Sequence, residues 1–251
     1  KAILKNNFVS GMYIWTGFDY LGEPTPYSWP ARSSYFGIID LAGFPKDVYY
    51  MYQSVFTSKP VLHIFPHWNW KPRDTVDVVS YYNNADEVEL FLNGTSLGVQ
   101  SKSGDELHVK WRVPFKPGTL KVVSRKNGKT VLTKVVKTAG PPAKIILKAD
   151  RSNIKADGID LSFITATIVD KNGNIVPDAD NLIKFKIKGM GLIAGVDNGD
   201  PVSHEPFKAK QHRALNGRAL AILQSNGKAG KITLTANANG LQSSTVIVSA
   251  K

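Results

Sequence analysis

Between Val76 and Ser249 apolar residues fall at every second position in short runs, and turn formers separate the runs. A period of two puts one face of a strand in a core and the other in water. Strands are predicted over Val76 to Tyr82, Val88 to Leu92, Leu107 to Val113, Gly118 to Arg125 and Lys129 to Lys137. Asn83-Asn84, Asn93-Gly94, Pro117-Gly118 and Asn127-Gly128 mark the turns. Asn93-Gly94 and Asn127-Gly128 are the strongest hairpin signals, because both residue types accept the left-handed backbone of a tight turn. Past Gly140-Pro-Pro-Ala143, a short stiff hinge, the rhythm resumes. Its runs are Lys144 to Ala149, Leu161 to Asp170, Ile183 to Lys188, Arg218 to Gln224, Lys231 to Ala236 and Ser244 to Ser249. Many short strands at regular spacing argue for β-sandwiches, here one over residues 58–140 and a second over 141–251.

Residues 1–57 have another texture, rich in aromatics and punctuated by Pro and Gly. Lys1 to Asn7 reads as a helix end, Phe8 to Thr16 as a strand, and Asp47 to Phe56 as a helix, with Val48, Met51, Tyr52 and Val55 at helical spacing. The apolar run Met12 to Trp15 leads into a turn carrying Trp15, Asp19, Glu23 and Tyr27. A strand that delivers an aromatic ring and carboxylates to its C-terminal end is how a β/α barrel builds a site. Rings and carboxylates are also what a sugar needs: the ring covers the apolar face of a pyranose and the carboxylates bond its hydroxyls.

The stretch WTGFDYLGEPTPY from Trp15, followed by Trp29 to Ser54, resembles the end of the catalytic barrel of glycoside hydrolase family 2, in its multidomain β-galactosidase form. The resemblance runs nearly unbroken over residues 8–56. Val88-Glu-Leu-Phe-Leu-Asn-Gly-Thr-Ser-Leu-Gly98 resembles a strand-turn signature of the sandwich that follows the barrel, and residues 141–251 resemble the bacterial immunoglobulin-like modules appended to it. The implied architecture is mainly β: the last strand and helix of a (β/α)8 barrel over 1–57, then two immunoglobulin-like sandwiches. The resemblance implies that Trp15 walls the sugar subsite and that both catalytic glutamates lie upstream of Lys1. The N-terminal remainder of the same protein is then a required partner, and the 251-residue chain alone is expected to be inactive.

Each candidate also has a plainer reading. Trp15 is either a sugar platform or a core residue. Asp19 and Glu23 are four apart, but Gly22 and Pro24 argue against a helix that would align them, so the spacing fixes no geometry. Asp19 is expected to bond loop backbone or a neighbouring polar side chain. Glu23 lies near the site mouth, pairs with Arg32, or serves the loop. His67-Trp-Asn-Trp70 either lines a groove or packs a domain junction. Asp197, Asn198, Asp200 and Glu205 lack the spacing of a helix–loop–helix calcium site and read as a turn rich in Asx residues. None of the five histidines stands at metal spacing; Pro66 breaks any helix that would align His63 with His67. Neither a metal nor a cofactor is expected.

The net charge is +12. Residues 1–57 are neutral, and the excess divides evenly between 58–140 and 141–251. Its lysines alternate with apolar residues, as in Lys184-Phe-Lys-Ile-Lys188, which describes the wet face of half-buried strands rather than a nucleic-acid surface. No apolar run approaches the roughly 20 residues of a membrane span, and there is no cysteine for a disulfide. The expected function is part of a retaining glycosidase, bacterial and periplasmic, secreted or at the cell surface, acting on a β-galactoside or related carbohydrate. The rival is a non-catalytic carbohydrate-binding or adhesion/spacer module.

Overall fold

The computed structural model describes residues 2–251. It is mainly β, with two short helices, α1 (Ala2–Lys5) and α2 (Asp47–Phe56), and sixteen strands among the described residues. The chain forms two compact units.

The first unit comprises Lys1–Asp19, Phe36–Ile39 and Pro45–Thr138. A three-stranded sheet takes β1 (Leu62–Phe65), β2 (Thr75–Tyr82) and β5 (Val109–Pro114) in the order β1-β2-β5. A four-stranded sheet joins β3 (Glu87–Leu92), β4 (Thr95–Gln100), β6 (Thr119–Lys126) and β7 (Lys129–Lys137) in the order β4-β3-β6-β7. The alternation seen in the sequence now has its cause. Val76, Val78, Trp111 and Val113 from one sheet meet Val88, Leu90, Leu120 and Val122 from the other in a single core. Asn93 and Gly94 both have positive φ, as do Asn127 and Gly128, so both predicted hairpin turns form with the backbone their residues favour. Helix α2 packs on β1 and β2. Its first residue, Asp47, lies 2.8 Å from His63 Nε2, and the His63 ring stacks on Tyr50 with centroids 3.9 Å apart.

The second unit comprises Tyr20–Tyr35, Asp40–Phe44 and Ala139–Lys251. One sheet holds β8 (Lys144–Ala149), β10 (Leu161–Val169), β12 (Gly191–Asp197) and β14 (Arg218–Ser225) in the order β12-β14-β10-β8. The other holds β9 (Asn153–Ile154), β11 (Leu182–Gly189), β13 (Gln211–Arg213), β15 (Gly230–Asn237) and β16 (Ser244–Ala250) in the order β13-β11-β15-β16-β9. Ile164, Ile168, Ala221 and Leu223 face Ile183, Phe185, Leu234 and Val248 across the core. Lys184, Lys186 and Lys188 of β11 are exposed, alternating with Ile183, Phe185 and Ile187, so the basic charge here lies on the solvent side of a sheet.

The strand expected over Phe8 to Thr16 does not form. A strand exists only as part of a ladder, and among the described residues none pairs with Phe8 to Ile14 as a strand. The segment remains irregular and its side chains are exposed, Phe8, Tyr13, Trp15 and Phe18 conspicuously so. Trp68 is wholly buried in the core of the first unit, its indole N–H donating to the Lys116 carbonyl at 2.9 Å. Trp70 instead lies at the surface, stacked on His67, with its N–H bonded to the His67 carbonyl at 2.8 Å. The two tryptophans of that cluster therefore have different fates.

Candidate functional site

In the first unit, Trp15 follows the irregular apolar run and is 73% exposed. The Trp15–Thr16 peptide is cis. Backbone bonds anchor what comes next: Thr16 N–H donates to the Phe36 carbonyl, Ile38 N–H to the Thr16 carbonyl and Asp19 N–H to the Ile39 carbonyl, at 2.9–3.1 Å. Asp19 closes this arrangement. Its side chain is 3% exposed; Oδ1 accepts from Gly37 N–H at 2.8 Å and Oδ2 lies 2.7 Å from Lys46 Nζ. Gly37 is required there, since a Cβ would come within 2.1 Å of Asp19 N. The expected bonding of Asp19 to loop backbone and to a polar neighbour is what the structure contains.

An apolar cavity of about 380 Å³ opens between the irregular segment and α2, lined by Met12, Met51, Tyr52, Val55, Phe56 and Leu107.

In the second unit, residues 20–35 form a loop. The Tyr20 hydroxyl donates to Glu23, whose φ is +46°. The Arg32 guanidinium lies over the Phe207 ring, 4.6 Å from its centroid, so the Glu23–Arg32 pair considered from sequence is replaced by a tyrosine–carboxylate bond and a cation–π contact. Tyr27 is exposed and its ring sits 4.1 Å from that of Tyr35. Ser33 and Ser34 are buried and bond Tyr20, Ser33 through its hydroxyl to the Tyr20 carbonyl and Ser34 through its oxygen to Tyr20 N–H. Sequence reasoning missed the partner of this loop, residues 197–207. Arg32 N–H donates to the Pro201 carbonyl at 3.0 Å, His204 Nε2 donates to the Pro30 carbonyl at 2.9 Å, and the His204 ring sits 4.4 Å from that of Trp29. Asx turns set that second loop: Asp197 Oδ1 accepts from Asn198 and Gly199 N–H, Asn198 Oδ1 from Asp200 N–H, and Asp200 Oδ1 from Val202 N–H. The acidic and amide side chains are thereby committed to backbone.

Residues 145–247 match the model of glycoside hydrolase family 2 C-terminal domain 5, and residues 74–132 match a domain of unknown function, DUF4982. Over all 251 residues the chain is 58% identical to Beta-galactosidase BoGH2A of Bacteroides ovatus. Residues 145–247 are thus a C-terminal domain of the glycoside hydrolase family 2 kind. The chain spans 30% of the length of the Bacteroides ovatus relative. Among solved structures it is similar to a β-glycosidase from Bacteroides vulgatus, with a TM-score of 0.87 and 38% identity over 93% of this chain and 30% of that one. A family 2 member from Bacteroides cellulosilyticus gives a TM-score of 0.86 and 33% identity, over 94% of this chain and 35% of that one. Among the described residues, no helix is long and apolar enough to cross a membrane.

Proposed function

We propose that this chain is the C-terminal part of a retaining glycoside hydrolase that cleaves terminal β-galactosidic bonds. The 58% identity to a β-galactosidase along the whole chain carries this reading. On it, residues 1–57 are the end of the catalytic barrel, 58–140 a sandwich and 141–251 an immunoglobulin-like sandwich. The exposed rings of Phe8 to Phe18 and the hollow beside α2 are surface that the remainder of the barrel covers. The catalytic glutamates belong to that remainder, one protonating the leaving oxygen and the other forming a glycosyl-enzyme intermediate. The enzyme works in the periplasm, in the medium or at the cell surface of a bacterium.

Within this chain, Trp15 presents a flat apolar face to the sugar. Its ring is exposed, while Asp19, four residues on, fixes the following turn from behind through Gly37 and Lys46. Asp19 therefore serves the substrate site by holding its wall, and Glu23 and Tyr27 are the polar residues that this reading also assigns to substrate. The test is kinetic, on the full-length enzyme with nitrophenyl β-galactoside and nitrophenyl β-glucuronide. Hydrolysis of the galactoside is expected, and Trp15→Ala should lower kcat/KM by about 100-fold or more with the melting midpoint nearly unchanged, because the sugar loses its orienting wall. Trp15→Phe should recover part of the loss. The isolated chain should hydrolyse neither compound. A large midpoint drop with normal turnover would make Trp15 a packing residue, and turnover by the isolated chain would place the catalytic carboxylates within it.

A further inference from the structure

Trp29 is 78% exposed, yet its ring is not loose. It rests against the His204 imidazole at 4.4 Å, and that imidazole is itself fixed by donating from Nε2 to the carbonyl of Pro30, the residue next to Trp29. Two residues further on, Arg32 is tied through its N–H to Pro201 and through its guanidinium to the face of Phe207. The 197–207 loop that supplies Pro201, His204 and Phe207 is rigid in its turn, braced by the Asx turns of Asp197, Asn198 and Asp200, with Asn198 buried and its amide donating to the Arg213 carbonyl at 3.1 Å. Gly199 of the same loop comes so close to Asp40 that a Cβ would lie 2.4 Å from the carboxylate. A large ring held in one orientation by a buttressed neighbour, with most of its surface open to water, has already lost the side-chain freedom that binding would otherwise cost. Flat exposed indole surface of this kind suits the apolar C–H face of a pyranose.

We infer that Trp29 is a sugar-binding platform of the second unit, distinct in sequence from Trp15, and that His204 is its positioning residue. The ligand class is a sugar unit of a β-linked oligo- or polysaccharide. The C-terminal sandwich then takes part in carbohydrate recognition through its 197–207 loop. This inference rests on the glycosidase reading above for the choice of sugar as ligand.

Two measurements test it. The first is affinity electrophoresis of the full 251-residue chain through gels with and without β-1,4-galactan, which needs no catalysis. Galactan should retard the chain, and Trp29→Ala should abolish the retardation. His204→Ala should weaken it, and His204→Gln, which keeps a donor for the Pro30 carbonyl, should restore much of it. Absence of retardation, or equal retardation of Trp29→Ala, overturns the platform. The second uses the full-length enzyme with β-1,4-galactotetraose. Trp29→Ala and His204→Ala should raise KM about tenfold, the factor that roughly 1.4 kcal/mol of binding represents, with a smaller fall in kcat. A merely structural His204 would lower the melting midpoint and the active fraction without moving KM, and that result removes it as a positioning residue. If the full-length protein hydrolyses no β-galactoside but galactan retention still depends on Trp29, the glycosidase reading fails and the platform stands.

Discussion

Asp19 Oδ2 lies 2.7 Å from Lys46 Nζ, with the carboxylate almost entirely out of water and the lysine about one-third exposed. Taking a carboxylate from water is costly unless it is paired and hydrogen-bonded. Here Lys46 supplies the charge and Gly37 N–H the further bond. The pair links the turn after Trp15 to the residue just before α2.

Asp19→Asn keeps an acceptor for Gly37 but removes the charge facing Lys46. A fully buried pair broken in this way costs about 3–5 kcal/mol; with Lys46 partly wet, about 1–3 kcal/mol is expected. Asp19→Ala should cost about 1–2 kcal/mol more, since it also strips the acceptor from a buried N–H. Urea unfolding of the three proteins checks the order. An Asp19→Asn variant of unchanged stability that has lost sugar binding would move Asp19 from the support of the site to direct contact with substrate.

Trp68 provides the opposite test to Trp15. It fills the core of the first unit, edge-on to Phe115 with centroids 5.2 Å apart, and the Thr138 hydroxyl donates to its carbonyl at 2.7 Å. Trp68→Ala should destabilise the unit by about 3–5 kcal/mol through the cavity it leaves, read as a lower urea midpoint. Trp70→Ala, three residues from the same motif's start and at the surface, should cost less than about 1 kcal/mol of stability. Equal losses would mean that Trp70 also packs in the core.

Asp170 gives the second unit an acid limit. Burial pushes its carboxyl up, but N–H donors from Gly140, Asn172 and Asn174 together with the Asn174 amide hold it down, to about 2 against an ordinary 3.8. A carboxylate whose folded value is depressed contributes its stability fully above the unfolded value and loses it as pH falls through the folded one. Wild-type stability should therefore decline between about pH 4 and about pH 2. Asp170→Asn should be less stable at neutral pH, flatter through that window, and nearly equal to wild type at its lower end. Parallel curves for the two proteins across the window would exclude Asp170 as the group responsible.

The sandwiches were legible because a strand's period of two leaves its mark residue by residue. Val76, Val78, Val88 and Leu90 alternate in the sequence and point inward together in the core. β1 was not, because Leu62–Phe65 is a four-residue run hemmed by Pro60 and Pro66 with His63 inside it. β12 was missed for a similar reason, its Gly191 and Gly195 diluting the apolar signal. In the candidate site, Gly22 and Pro24 excluded a helix aligning Asp19 with Glu23 but did not point to Gly37 and Lys46 as the partners of Asp19. The Trp29–His204 contact was not legible, since 174 residues separate the bonded pair Pro30 and His204 and no local pattern encodes such a meeting. The only hint was a loop at 197–204 whose polar residues had no evident task.

The chain enters the second unit at Tyr20, leaves it after Tyr35, returns for Asp40–Phe44 and comes back for good at Ala139. A recombination that exchanged only the segment after Gly140 between two relatives would thus transplant His204 and Phe207 without the Pro30 and Arg32 that they grip. The heritable module is discontinuous: residues 20–35 and 40–44 must travel with 139–251, and drift in one part is answerable to the other.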